Sequence, residues 1–316
     1  MTELRWDGRV AIVTGAGRNL GREYVHLLAS RGARVVVNDL GVAISDTDGA
    51  GDAPAHNPAH DVVAELGTAY GPGVAVASTD SVATPDGGAA IVATALDAFG
   101  RVDVVVNNAG VVRQAPFEDY GPELADPVFA SQLGGHFNVT RPAWPVMRSQ
   151  GFGRVVNVSS GAGLWGVPKM GAYATAKMGV VGLTRTLAQE GRADGINVNV
   201  IAPSAKTRDG GFGPIPASAE LNDWLSPAMI APLVAWLAHE ECDVTGECFS
   251  VGGGYVGRVV LAVTPGWRSR DLTPESLRDH FDAVIDEDGL AVMPAGAGDM
   301  ARMFEGFMPP TTADGR

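Results

Sequence analysis

A serine, a tyrosine and a lysine near the middle of the chain have types and a spacing suited to proton transfer with an alcohol. Tyr173 and Lys177 lie four positions apart in YATAKMG, and Ser160 precedes them in VVNVSSGAG. Residues four apart share one face of a helix, so an ammonium would lie beside a phenol. A nearby cation favours the ionised form of such a weak acid. We predict that Tyr173 exchanges a proton with an alcohol whose oxygen the Ser160 hydroxyl holds.

Such a trio is weak evidence alone, and a nucleotide-binding pattern upstream gives it meaning. An apolar run, Val10 to Val13, predicts a buried strand, followed by a glycine-rich turn and a helix that ends near Gly32. A second apolar run, Val35 to Val37, leads to Asp39. Glycines let the backbone approach a pyrophosphate, and the helix N-terminus supplies donors. Asp39 would accept from the adenosine ribose and repel a 2′-phosphate, which predicts NAD rather than NADP.

Two later segments extend the predicted cofactor site. Asp80 follows the apolar run Val74 to Ala77 and is a candidate for the adenine amino group, or else an ordinary turn residue. The run Val102 to Val106 leads into NNAG, whose small residues would let the backbone lie against the cofactor; a simple strand-end turn is the alternative. The residues predicted to bind the cofactor are Gly15, Gly17, Asn19, Leu20, Gly21, Asp39, Asp80, Ser81, Asn108, Ala109, Gly110, Tyr173, Lys177 and Pro203.

Together these segments resemble the short-chain dehydrogenases/reductases. The resemblance covers about residues 5–255 and is carried by TGAGRNLG, NNAG, NVNVIAP and the set of Ser160, Tyr173 and Lys177. More narrowly, NDLG, TDSV and SPAMIAPLVAWLAHEECDVTGECFSVGGG are similar to the hydroxyacyl-CoA dehydrogenase unit of peroxisomal multifunctional enzymes and its bacterial relatives. This implies NAD-dependent interconversion of 3-hydroxyacyl-CoA and 3-ketoacyl-CoA, with Lys177 also holding the nicotinamide ribose. A steroid or another hydrophobic alcohol is the alternative substrate.

The sequence departs from the family pattern at three places. Asn19 replaces a usual glycine, and asparagine tolerates a left-handed backbone better than most residues. Gln132, in QLGG, stands where the family commonly has a catalytic asparagine that anchors a water, largely through its backbone; we predict that Gln132 supports the same proton relay. Ser204 after Pro203 replaces a usual glycine. These changes leave open a catalytically idle NAD-binding assembly module, which the intact serine, tyrosine and lysine argue against.

The alternation of apolar runs and helical periods predicts the fold class α/β. We expect a doubly wound parallel sheet of the Rossmann type, with about seven strands and helices on both faces. Residues 1–316 are predicted to be one dinucleotide-binding dehydrogenase domain, in which 255–316 form a C-terminal extension with a helix from Thr273 to about Ile285. Residues 41–60 have a loop composition. Pro58 argues against a helix there, and no metal site is predicted from His56 and His60.

The substrate is predicted to enter beside a lid. By position in the family, the Gly/Pro-rich stretch Ser204 to Asn222 is implied as a mobile segment that closes over the substrate, although a surface loop has the same composition. Trp165, with Val167 and Met170, is a candidate for lining an apolar pocket. The basic residues predicted to contact CoA phosphates are Arg113, Lys206, Arg208 and Arg268.

Composition limits the partners and the compartment. A net charge of −13 argues against nucleic acid, no apolar run is long enough to span a membrane, and the chain shows neither a signal peptide nor a peroxisomal address. Its two cysteines are predicted to be packing residues in a reducing compartment, so we expect a cytoplasmic enzyme. The helix after Tyr173 carries Ala174, Met178 and Val181 away from the site, and the resemblance implies that such helices pair in a homodimer or homotetramer.

Overall fold

Parallel β-strands form the centre of the structure, a computed structural model that describes residues 2–41, 56–206 and 224–295. The strands of the main sheet are β1 Val10–Thr14, β2 Arg34–Asn38, β3 Ala75–Ser78, β4 Val104–Asn107, β5 Gly153–Val158, β6 Ile196–Pro203, β7 Cys248–Gly252 and β8 Tyr255–Val259. Their order is β3-β2-β1-β4-β5-β6-β7-β8, and the pairs from β3 to β7 are all parallel. The predicted doubly wound α/β sheet is therefore confirmed.

The eighth strand is one more than the sequence predicted. Gly253 and Gly254 both adopt positive φ, at 58° and 75°. Consecutive left-handed residues are readily accessible to glycine and permit a tight return of the chain. The chain therefore places β8 directly beside β7 at the edge of the sheet.

Helices connect the parallel strands. Their bounds are α1 Asn19–Ser30, α2 Pro58–Tyr70, α3 Pro85–Phe99, α4 Pro122–Phe129, α5 Gly135–Gln150, α6 Gly161–Trp165 and α7 Gly171–Gly191, with a further helix at Ala231–Leu237. The ends of α3 show the local cause: the Thr84 hydroxyl accepts a hydrogen bond from the N–H of Gly87, and Gly100 ends the helix at φ 76°. These are the cap residues that the sequence indicated.

The start of α2 differs from the prediction. The predicted loop extended to residue 60, but α2 begins at Pro58. The side chain of Asn57 accepts from the N–H of Ala59 at 2.8 Å and donates to the carbonyl of Asp39 at 2.9 Å. Proline fits the first position of a helix because no N–H is needed there, so Pro58 starts the helix that it was expected to prevent.

The core lies on both faces of the sheet. Successive side chains of a strand point to opposite faces, and in β1 Val13 packs in one buried cluster while Ile12 packs in the other. Leu28 of α1 belongs to the first cluster, and Met147 of α5 belongs to the second. Burial on both faces explains why the strands are continuous apolar runs rather than alternating ones.

The strand order places a crevice between β1 and β4. The chain runs outward from β1 to β3 and then returns to β4 on the other side of β1. In open α/β sheets, ligands bind beyond the carboxyl ends of the strands at such a reversal. Gly15, Asp39, Asn108, Ser160 and Pro203 lie at or within two residues of the carboxyl ends of β1, β2, β4, β5 and β6 respectively.

The chain folds into two compact units, Met1–Arg258 and Val259–Arg316. In the second unit, a two-stranded antiparallel sheet joins β9 Ala262–Val263 to β10 Ala291–Val292. The predicted helix from Thr273 is two short helices, Pro274–Asp279 and Phe281–Ile285. They separate at His280, whose ring stacks on Trp267 at 4.3 Å between centroids. The grouping of both units into one domain stays a prediction.

Membrane spans and metal clusters are both absent from the described part of the chain. No helix within it is long and apolar enough to cross a membrane. In the same residues, no group of three or more His, Cys, Asp or Glu side chains is arranged to hold a metal ion.

Candidate active site

The structure brings Ser160, Tyr173 and Lys177 together at the carboxyl edge of the sheet. Ser160 follows β5 and caps α6, where its hydroxyl accepts from the N–H of Ala162 at 3.1 Å. The same hydroxyl lies near enough to the Tyr173 phenol to lower the pKa of that phenol. On α7, Lys177 Nζ lies 5.6 Å from the centroid of the Tyr173 ring. A substrate oxygen that meets the phenol would therefore also meet the serine.

Desolvation has the largest effect on the pKa values of Tyr173 and Lys177. Desolvation raises the pKa of Tyr173, and the nearby Ser160 hydroxyl opposes that rise. Desolvation lowers the pKa of Lys177 to about 7. Desolvation therefore outweighs any lowering of the phenol's pKa by Lys177, and that role of Lys177 stays a prediction. The ammonium directs a 2.6 Å hydrogen bond to the carbonyl of Val158, while the loss of water penalises the phenolate.

Lys177 is fixed by neighbours that the sequence alone did not reveal. The Ser159 hydroxyl donates to the backbone carbonyl of Lys177 at 2.7 Å. A Cβ atom at Gly163 would lie 2.8 Å from Lys177 Cβ, so α6 packs this closely on α7 because that position is glycine. The one sequence feature that could have indicated Ser159 is its place next to Ser160, and only Ser160 was predicted to be functional.

The buried ammonium gives stability a predictable pH dependence. The pKa of Lys177 is about 7 in the folded protein and near its ordinary 10.5 in the unfolded chain. Between these values the unfolded chain binds the extra proton, so the free energy of unfolding rises with pH across this window. We expect Lys177→Met to reduce that rise, measured by urea unfolding at pH 7 and pH 9. Equal differences between the two pH values in both proteins would contradict this assignment.

The glycine-rich turn after β1 has the backbone geometry that its sequence indicated. Gly15 has φ 64°, and Asn19 also lies in the left-handed region, at φ 45°. The first turn of α1 has no acidic residue, and no side chain caps it at Arg18. Leu20 packs against the core beneath. A Cβ at Gly21 would lie 2.3 Å from the carbonyl oxygen of Gly15, so this glycine keeps the turn close to the helix.

Asp39 is held against that turn. Its carboxylate accepts from the N–H of Gly17 at 3.1 Å and from the N–H of Gly41 at 2.8 Å. A Cβ at Gly17 would lie 2.9 Å from an Asp39 carboxylate oxygen and 2.8 Å from Pro58 Cβ. Each carboxylate oxygen has capacity for a further donor. The turn, the start of α1 and the carboxylate therefore fit an adenosine ribose and a pyrophosphate.

Hydrogen bonds to Thr14 hold the NNAG segment against β1, and Thr14 was not among the residues predicted to form the site. The Thr14 hydroxyl accepts from the N–H groups of Asn108 and Ala109, both at 3.0 Å. The Asn108 side chain donates to the carbonyls of Thr14 and Gly15, at 2.9 and 3.1 Å. The side chain of Asn108 thus braces the glycine-rich turn, which places the NNAG backbone beside it.

Gln132 lies in a π-helical turn, Ala130–Gly134, between α4 and α5. Its side chain donates to the carbonyl of Val111 at 3.0 Å, and a Cβ at Gly110 would lie 2.2 Å from its Cδ. Single π-turns are frequent at functional sites. The side-chain amide of Gln132 thus packs on the segment after β4 and leaves any support for the proton relay to its backbone.

The predicted adenine contacts lie after β3. The hydroxyl of Ser78 donates to the Asp80 carboxylate at 3.0 Å, and the Asn38 side chain donates to the Asp80 carbonyl at 2.9 Å. The Ser81 hydroxyl accepts from the N–H of Ala83 at 3.2 Å. Asp80 and Ser81 are therefore placed beside the end of β2, where Asp39 follows.

The predicted substrate contacts lie on separate parts of the chain, whereas the three predicted catalytic residues lie together. Trp165 ends α6 and is 71% exposed. Arg113 is half-buried and donates to the carbonyl of Val112 at 2.8 Å. Lys206 is exposed three residues after Pro203, which ends β6. Arg208 and the predicted lid from residue 207 to 222 lie outside the described residues.

Comparisons with known proteins agree with this geometry. The family model for short chain dehydrogenases matches residues 9–208. The mouse peroxisomal multifunctional enzyme type 2 is 43% identical over 287 residues, which is 90% of this chain but 37% of the mouse enzyme. A hydroxyacyl-CoA dehydrogenase of Mycobacterium tuberculosis is 37% identical, with 87% of this chain and 89% of that protein covered.

A solved structure extends the similarity to three dimensions. The crystal structure of a short chain dehydrogenase from Mycobacterium avium superimposes with a TM-score of 0.75 at 38% identity, covering 92% of this chain and 99% of that one. The glycine-rich turn and the serine, tyrosine and lysine all lie within the region that the family model matches. This protein is an enzyme and belongs to the short-chain dehydrogenase family.

Proposed function

We propose that the protein is an NAD-dependent dehydrogenase that interconverts a secondary alcohol and a ketone, with 3-hydroxyacyl-CoA and 3-ketoacyl-CoA as the pair. The observation that carries the proposal is the approach of the Ser160 hydroxyl to the Tyr173 phenol beside Lys177, at the edge where the glycine-rich turn lies. The family typically uses NAD or NADP. The name of the M. tuberculosis relative supports the acyl-CoA substrate, because the chain covers 89% of that protein.

In this proposal the residues divide the chemistry between them. Tyr173 removes the hydroxyl proton of the alcohol, and the Ser160 hydroxyl holds the same oxygen. A dinucleotide held by the glycine-rich turn and Asp39 would supply the acceptor for the hydride of the alcohol carbon. Lys177 holds the nicotinamide ribose, and its short hydrogen bond to Val158 fixes the direction of its side chain. The backbone of Gln132 supports proton exchange through the lysine.

The substrate class is tested by the wild-type enzyme and a panel of substrates. We propose that 3-hydroxyacyl-CoA thioesters reduce NAD faster than sterols or free hydroxy acids, because Arg113 and Lys206 supply cations for CoA phosphates. Trp165 and Val167 are exposed a few residues after Ser160 and could contact an apolar group of the substrate. Acyl chains and steroids are both apolar, so these two residues do not distinguish the two substrate classes. Preferred turnover of sterols would favour the steroid alternative, and turnover of any alcohol would discard an idle assembly module.

We expect Asp39→Ser to shift cofactor preference from NAD towards NADP. The carboxylate accepts from the ribose hydroxyls of NAD and repels the 2′-phosphate of NADP. Hydrogen bonds to charged groups contribute about 1.5–3 kcal/mol, so the ratio of kcat/KM for the two cofactors should change by about tenfold to a hundredfold. Asp61→Ser, which removes the same charge from an exposed position on α2, is the control. An unchanged ratio in Asp39→Ser would exclude the ribose contact.

A homodimer or homotetramer is proposed through α7. Met178 is 41% exposed on this helix, and Phe137 of α5 is 52% exposed. Val181, which was predicted to lie on the same outer face, is instead buried in the core at 4% exposure. It follows the buried Lys177 by four residues, so the two side chains share the inner face of the helix. Light scattering that gives a monomer mass would contradict the assembly.

The cytoplasm is proposed from the state of the thiols. Cys242 and Cys248 are both free and buried. Burial raises the pKa of each thiol, for Cys248 to about 11, so neither provides a reactive thiolate near neutral pH. Both therefore behave as packing residues, which suits a reducing compartment.

A further inference from the structure

A histidine behind Lys177 has no part in the chemistry described so far. His136 lies in the first turn of α5 and is 1% exposed. Its ring nitrogen Nε2 is buried and has no hydrogen-bond partner in the protein. A buried polar atom without a partner costs about 1–3 kcal/mol, so it usually has a water or a functional role to explain it.

The surroundings of the ring connect it to the catalytic lysine. Hydrogen-bonding backbone groups of Gln132, Asn107 and Val158 lie around the imidazole. The carbonyl of Val158 also accepts the 2.6 Å hydrogen bond from Lys177 Nζ. The backbone at Val158 therefore lies next to both the imidazole and the Lys177 ammonium.

Other polar atoms without partners occur on the elements around His136. The side-chain oxygens of Gln132 and Asn107 are buried and make no hydrogen bond within the protein. The Asn107 amide donates at 2.9 Å to the hydroxyl of Thr140, which lies one helical turn beyond His136 on the same face of α5. An internal water needs two to four polar partners, and unpartnered polar atoms occur on β4, on the π-helical turn and on α5.

The histidine is neutral in this position. Burial lowers the pKa of His136 well below its ordinary value, and the charge of Lys177 lowers it further. Lys177 on α7 is the charged group that acts on the ring, while β4, β5 and the π-helical turn contribute uncharged backbone groups. A neutral ring can accept at one nitrogen and donate at the other, so it can share a water with an ammonium.

We propose that His136 is a positioning residue for proton transfer: its imidazole holds an internal water beside Lys177 and orients the lysine for proton exchange. This role belongs to a side chain and is separate from the backbone role proposed for Gln132. Its catalytic consequence rests on the proposed dehydrogenase function, whereas the hydrogen bond at the ring does not.

The kinetic test compares His136→Leu with His136→Gln. Leucine fills the space without a polar atom, and glutamine restores a donor and an acceptor at similar reach. We expect His136→Leu to lower kcat about tenfold, a part of the 10²–10⁴ typical of proton-transfer groups, and to shift the pH dependence of kcat, with KM and NAD affinity unchanged. His136→Gln should recover most of both. Met147→Leu, fully buried on the same helix, is the packing control.

Three results would overturn the proposal. Wild-type kinetics in His136→Leu would exclude any role, and an equal loss in both His136 variants with an unchanged pH profile would reduce the role to packing. The third readout needs no turnover: ¹⁵N-histidine NMR, with the signal assigned by its loss in His136→Gln. We expect a neutral, hydrogen-bonded ring whose pKa rises in Lys177→Met, and a ring without hydrogen bonds or without response to Lys177→Met would refute the inference. Absence of wild-type turnover would instead refute the proposed function.

Discussion

Replacing Tyr173 by phenylalanine is expected to lower kcat by about a thousandfold while NAD still binds. The substitution removes the phenol oxygen that is proposed to accept the alcohol's proton beside the Ser160 hydroxyl. The ring remains, so its packing against Lys177 is preserved at 5.6 Å. Steady-state kinetics with the best alcohol from the substrate panel gives kcat, and calorimetric titration gives the Kd for NAD.

A matched substitution separates this chemistry from the loss of a hydroxyl in general. Tyr70→Phe removes the same atom from a side chain that is 42% exposed on α2, and it should behave as the wild type. Near-normal kcat in Tyr173→Phe would assign the proton transfer to another group. Loss of NAD binding would mean that the phenol acts mainly on the cofactor site.

Replacing Gly17 by alanine is expected to weaken NAD binding by about tenfold to a hundredfold. The new methyl group would lie 2.9 Å from the Asp39 carboxylate and 2.8 Å from Pro58, so the end of β2 or the start of α2 has to move. Overpacking of this kind costs about 1–3 kcal/mol, and 1.4 kcal/mol is a factor of ten in affinity. The displaced carboxylate is the group proposed to hold the ribose, so affinity for NAD should fall more than kcat at saturating NAD.

Gly67→Ala provides the control, because a Cβ at that position on α2 has nothing within 4 Å. It should keep wild-type affinity and gain up to about 1 kcal/mol of helix stability. A Gly17→Ala variant that binds NAD normally would show that the turn near Asp39 is not part of the cofactor site. Thermal unfolding of both variants distinguishes a local displacement from general destabilisation.

Local sequence patterns predicted those structural features that are caused by interactions between residues close together in the chain. Continuous apolar runs predicted the parallel strands, because strands buried on both faces need apolar side chains throughout. Thr84 and Gly100 predicted the ends of α3 through cap chemistry that acts within one turn. Pro58 was expected to prevent a helix because proline is unfavourable inside one. Proline is favourable at the first position of a helix, and the Asn57 cap places Pro58 at that position.

The sequence by itself determined which groups are the candidates for the chemistry: the spacing of Tyr173 and Lys177 sets one helix face, and the position of Ser160 after a strand sets one sheet edge. Only the tertiary structure decided how those groups behave. The pKa values of Lys177 and His136 depend on desolvation by residues that are distant from them in the chain. The pKa of His136 also depends on backbone groups at the ends of β4 and β5. Desolvation is a property of the packed interior, and no spacing of residues along a chain specifies it.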